Sequence, residues 1–134
     1  MDASEPARAW LERHTAEDFC YLTTTGRRSG KKHTIEIWFA VDLEDPAKST
    51  ALYMMAGGRD RSDWVRNLMK TPEVTVRIRE HTRPGHARVL DAALEPVLDT
   101  RVRRLLAAKY QEWSPDGSLS EWAQTALPVE VRFP

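Results

Sequence analysis

The chain has 134 residues, room for one domain with a real core but not for two. Twenty lysines and arginines balance twenty aspartates and glutamates, which argues against a general nucleic-acid binder or a polybasic membrane protein. A single cysteine, Cys20, rules out an internal disulfide and a cysteine-based zinc cluster. No apolar run approaches spanning length and the first residues lack a charged-then-apolar signal pattern, so the sequence reads as soluble and cytoplasmic, without integral membrane contact.

Ser4 followed by Pro6 predicts a capped helix running to about His14, with Trp10 as its large apolar residue packing on the rest of the molecule. Phe19 to Thr25 and Thr34 to Val41 read as strands. In the second, Ile35, Ile37 and Phe39 alternate with Glu36, Trp38 and Ala40, and an acid beside a large ring on the non-aliphatic face suggests a pocket wall. Between the two strands, Gly26 to Lys32 carries Arg27, Arg28, Lys31 and Lys32 and no acid, a local charge of +4 in a neutral protein. Glycines 26 and 30 permit close backbone approach, and arginine forks suit phosphate or carboxylate. The loop is therefore a candidate anion site.

Thr50 to Met55 is a third strand, ending in Ala56-Gly57-Gly58, after which Asp60 or Ser62 starts a helix that Thr71-Pro72 stops. That glycine corner leading into a helix is a second potential ligand-facing site. Glu73 to Arg79 is a strand with Val74, Val76 and Ile78 inward, His81 to Pro84 a turn, and Gly85 to Leu90 its hairpin partner. Glu95 to Tyr110 is the longest helix, with Val97, Val102, Leu105 and Leu106 as its apolar residues. Ser118 or Ser120 caps a short helix holding Trp122, and Pro128 to Phe133 is the closing strand. About six antiparallel strands with helices across the openings predict a mainly β, α+β fold: a small barrel forming one domain over 1–134, with residues 1–16 as an N-terminal helix packing on it.

His14, His33, His81 and His86 stand singly, so no metal site is expected, and no nucleophile elbow or triphosphate loop is present. What remains is two glycine-rich corners, a cationic cluster and five tryptophans: parts for holding a large, flat, anionic cofactor.

Thr23–Gly30, Gly57-Gly58, Asp63–Leu68, Pro72–Val76 and Ala126–Val131 resemble, in order and over nearly the whole chain, the deazaflavin-dependent nitroreductase and quinone reductase family. The resemblance implies a split β-barrel of the flavin/deazaflavin-binding type. It implies coenzyme F420 as cofactor and an F420-dependent reductase activity toward a quinone, nitro compound or other conjugated small acceptor, in a monomer or homodimer. By that likeness Arg27, Arg28 and Ser29 face the phosphate and tail. His33, Thr34, Ile35, Glu36, Ile37 and Trp38 run beneath the ring system, and Tyr53, Met54, Met55, Ala56 and Gly57 meet its edge. Asp63, Trp64 and Asn67 complete the cofactor site. Three departures stand out. His33 replaces a usual arginine or lysine, which makes that contact pH-dependent. Arg59–Ser62 replaces a proline-containing insert. Trp113 stands where some relatives place a substrate-facing tyrosine, so Trp113 and Tyr110 are the catalytic candidates; Trp113 cannot act as an acid, and Tyr110 could supply a proton. Two alternatives stay open: flavin mononucleotide in the same fold, and a non-enzymatic carrier of the deazaflavin.

Overall fold

The computed structural model describes residues 5–134. Helix α1 spans Ala7–His14, α2 Asp63–Lys70, α3 Pro96–Tyr110 and α4 Glu121–Thr125. The strands are β1 Cys20–Thr25, β2 Lys32–Ile37, β3 Ala40–Val41, β4 Ala51–Ala56, β5 Glu73–Ile78, β6 His81–Val89 and β7 Leu127–Arg132. All seven belong to one sheet with antiparallel neighbours, in the order β2-β1-β5-β6-β7-β4-β3.

That order dictates the shape. β2 and β3 lie at opposite ends of the sheet, yet only Trp38 and Phe39 separate them in the chain. Three Cα steps reach at most about 11 Å, so the two ends must meet and the sheet curls upon itself. This is the expected split barrel, with one strand more than expected because the predicted Thr34–Val41 strand breaks at Trp38–Phe39. The closure stays partial: β3 pairs only Ala40 with Tyr53 and Val41 with Leu52, leaving Met54–Ala56 unpaired on that side. Continuing the same register would set Trp38 against Met55 and Ile37 against Ala56, but β2 instead follows β1. The split opens there.

β1 alternates buried and half-buried residues, while every residue of β4 is buried. Leu52 and Met54 of β4 join Leu22, Val76, Val129 and Val131 inside the barrel. Ala51, Tyr53 and Met55 face the other way, into a second cluster under Leu98, Val102 and Leu106 of α3. α1 inserts both Trp10 and Leu11 into the barrel interior, where Trp10 meets Phe133 edge-on at 5.0 Å. The expected Ser4 cap lies outside the described residues.

Three local expectations are corrected. His81 to Pro84 is strand, not turn: Ile78 pairs with His81, so the reversal falls on Arg79-Glu80, with Arg79 at φ +53°. Pro84 precedes the stretch of β6 that pairs with β7 (His86–Val89), where a missing N–H is tolerated. Val97 is not in the core; it is 83% exposed, and Leu98 takes the inward position. A single 3-10 turn, Arg59–Arg61, intervenes between Gly57-Gly58 and α2. Among the described residues no helix is long and apolar enough to cross a membrane.

Candidate functional site

The loop between β1 and β2 is a tight reversal. Gly26 N–H donates to the Lys31 carbonyl (2.7 Å) and Gly30 N–H to the Gly26 carbonyl (2.9 Å), with Gly30 at φ +73°. A Cβ on Gly26 would sit 2.8 Å from Ser29 Oγ and 2.9 Å from His33 Nε2, so a larger residue would push these two side-chain ends aside. Its two arginines are held differently. Arg27 is tied to α2: its N–H and Nη1 both donate to Asn67 Oδ1 (3.1 and 3.0 Å), and Nη2 reaches Asp63 (3.1 Å). Asn67 is itself 4% exposed and donates to Thr24 Oγ1, and Lys70 donates to the Arg27 carbonyl. Arg28 is exposed, and among the described residues it forms neither a hydrogen bond nor an ion pair. Together with Ser29, His33, Thr34, Ile35 and Trp64 these residues line a groove of about 450 Å³. The sequence-predicted members of this group therefore do come together, with Arg27 braced as scaffold and Arg28 open to a ligand.

A second cavity, about 420 Å³, lies where the barrel splits. β2 contributes Glu36 and Ile37, the break that follows it Trp38, and β4 Met55. Three further lining residues, Phe19, Gln111 and Trp122, were missed by the sequence reading, because nothing local announces which end of the barrel a C-terminal helix will cover. Trp38 is 42% exposed, stacked face to face on Tyr110 (4.3 Å, 3°) and met edge-on by Trp122 (5.5 Å, 86°). Glu36 accepts a hydrogen bond from Tyr21 Oη at 3.2 Å. The two cavities share one wall, since His33–Ile35 border the groove and Glu36–Trp38 the pocket. At ~3.4 Å per residue that strand spans about 14 Å from His33 to its end at Ile37.

Other expected site residues sit elsewhere. Tyr53 and Met54 are fully buried: Tyr53 donates to Glu130 and Met54 fills the barrel, so neither side chain reaches a ligand and only the unpaired β4 edge remains available. Gly57 has no left-handed backbone, and a Cβ there would make ordinary contact with Trp122 at 3.5 Å. Trp113 is corrected as a catalytic candidate. Its Nε1 donates to the Gly117 carbonyl, and it borders a separate groove with Arg104 and Pro115. Tyr110 touches the pocket only through the stacked Trp38. Its hydroxyl accepts from Phe39 N–H (3.0 Å) and lies within donating distance of the Asp18 and Phe39 carbonyls (2.8 and 3.0 Å). Burial pushes that phenol up to about 12, which removes it as a ready proton donor. The neighbouring Lys109 donates to the same Phe39 carbonyl, and burial lowers its amine to about 8. Cys20 is inert core, its thiol raised by burial to about 12. Among the described residues no cluster of His, Cys, Asp or Glu could hold a metal ion.

A family model described as F420H(2)-dependent quinone reductase matches residues 9–134. No curated protein matches the sequence. The fold is similar to a conserved hypothetical protein from Mycobacterium tuberculosis (TM-score 0.74, 16% identity, covering 99% of this chain and 81% of that one). It is also similar to an F420-H2 dependent reductase (TM-score 0.60, 22% identity, 87% and 95% covered). A third similar structure is HutZ, the heme storage protein from Vibrio cholerae (TM-score 0.65, 13% identity, 97% and 92% covered). At these identities the solved structures speak for the fold alone. The flavin mononucleotide alternative finds no support in the family match.

Proposed function

Since the chain belongs to the F420H2-dependent quinone reductase family, we propose that it binds F420 along β2 and reduces a quinone, nitro compound or other conjugated small acceptor in the pocket at the split. The observation that carries this reading is the single wall, β2, shared by a cationic groove and an aromatic pocket. The donor set fits the cofactor's anionic end: an exposed Arg28 without a partner among the described residues, the hydroxyl of Ser29 and the imidazole of His33 around a groove into which Arg27 is already braced. Asp63 opposes an anion there, but its nearer oxygen is engaged by Arg27. The unpaired Met54–Ala56 edge offers backbone donors and acceptors for a ring edge. Bound, F420 supplies hydride chemistry that no side chain of this protein could provide.

The protein's own residues then position and enclose. Trp38, held flat by Tyr110, gives a planar acceptor a rigid face, and Trp122 and Met55 close its sides. Orientation of this kind lowers the barrier by prepaid entropy. With Tyr110 locked into backbone hydrogen bonds and Trp113 turned away, neither of these two stands ready as acid, and water entering the open pocket supplies the proton the product needs. Anaerobic oxidation of reduced F420 tests this: purified protein should accelerate it with menadione and with a nitroaromatic. Tight F420 binding with no turnover of any quinone or nitro acceptor would favour a carrier instead.

A further inference from the structure

Charge is divided along β2. The groove at its start is bordered by Arg27, Arg28 and His33, whereas the pocket at its end is lined by aromatic and aliphatic side chains, the neutral amide of Gln111 and one charged group, Glu36. That carboxylate is exposed and pinned by Tyr21 Oη, and among the described residues it forms no ion pair. Arg77, Lys109 and Arg59 keep their charge but do not line the pocket, each being directed to a neutral partner. Arg77 lies over the Tyr21 ring at 4.1 Å and donates to the Arg79 carbonyl. Lys109 donates to the Phe39 carbonyl, and Arg59, beyond Gly57, to the Thr125 carbonyl. A ligand stacked on Trp38 therefore meets Glu36 as the one charged side chain lining the pocket.

We infer that Glu36 sets the charge class of the acceptor: neutral and cationic planar molecules enter the pocket, and anionic ones are turned away. This rests on the acceptor-pocket reading above. A like charge some 6 Å away in a partly solvated site is worth about tenfold in affinity and is screened by salt.

Two probes of similar ring size test it, menadione (neutral) and a naphthoquinone sulfonate (anionic). Their binding to the F420-free protein is followed by tryptophan quenching. Their kcat/KM is then measured at saturating reduced F420, in the parent, Glu36→Gln and Glu36→Lys. The sulfonate-to-menadione ratio should rise about tenfold in Glu36→Gln and further in Glu36→Lys, by both readouts, with the rise shrinking at high salt. Menadione bound and reduced by the parent, but with the same ratio in all three proteins, would overturn the charge filter and leave the acceptor reading intact. A parent that binds F420 yet neither binds nor reduces either quinone would overturn the acceptor reading, and the filter with it.

Discussion

Arg27 and Arg28 are chain neighbours with opposite duties. Arg27 is fixed by Asn67 and Asp63 before any ligand arrives, whereas Arg28 has no protein partner among the described residues. Arg28→Ala should therefore weaken F420 binding by about 1.5–3 kcal/mol, the scale of a charge-assisted contact, while leaving thermal stability unchanged. Arg27→Ala should lower both, because the buried Asn67 loses a partner. Calorimetry paired with thermal melts separates the two, and equal behaviour of the variants would contradict the division. Tyr110 makes a second residue-level case. Tyr110→Phe keeps the ring on Trp38 but strands the Phe39 N–H and should cost about 1–3 kcal/mol of stability. On the proposed reading, in which water supplies the proton, kcat with menadione should change little in folded enzyme; a hundredfold fall in kcat would restore Tyr110 as the acid.

At the level of elements, α1 and α4 close the barrel's surroundings by different means. α4 is short, capped by Ser120, and clamped by Arg103, whose Nη1 reaches the carbonyls of Ala123, Gln124 and Ala126. That clamp sets Trp122 at the pocket. α1 instead buries His14, 5% exposed, with neither ring nitrogen hydrogen-bonded, beside Trp10 and His81. Burial first, then Arg13 and His81, lower its pKa against the smaller opposing pull of Glu17 and Glu5. A histidine depressed in the folded state takes up its proton more readily when unfolded. Stability should thus be lost as pH falls below about 6.5, the ordinary imidazole value, by at most about 1.4 kcal/mol per pH unit. Denaturant midpoints across that range should slope less in His14→Leu than in the parent; parallel curves would show that His14 does not couple α1 to pH. The sequence made the elements themselves legible through the alternation of Val74, Val76 and Ile78 in β5 and through the stop at Pro72. It concealed the break at Trp38–Phe39, because the alternation of Ile35, Ile37 and Phe39 continues unbroken through a bend that only sheet closure requires. It also hid the Arg79-Glu80 reversal, since an arginine in left-handed backbone carries no turn signal while the nearby Pro84-Gly85 does.

For the whole molecule, the curled sheet brings its first and last strands together, and the split this leaves is where both cavities meet β2. The cationic half of the site was readable because Gly26 to His33 is contiguous in sequence. Of the aromatic half Trp38 and Met55 were named from the sequence, whereas Phe19, Gln111 and Trp122 were not, because they reach the pocket only when residues far apart in the chain fold together. On the function proposed above, this split holds F420 through an anion groove built for more than one negative group. Calorimetric titration of the purified protein with F420, and separately with flavin mononucleotide, tests it most directly. Tight binding of F420 that weakens with salt and in Arg28→Ala, with far weaker binding of flavin mononucleotide, is the expected result; no binding of F420, or equal affinity for the two, would contradict it.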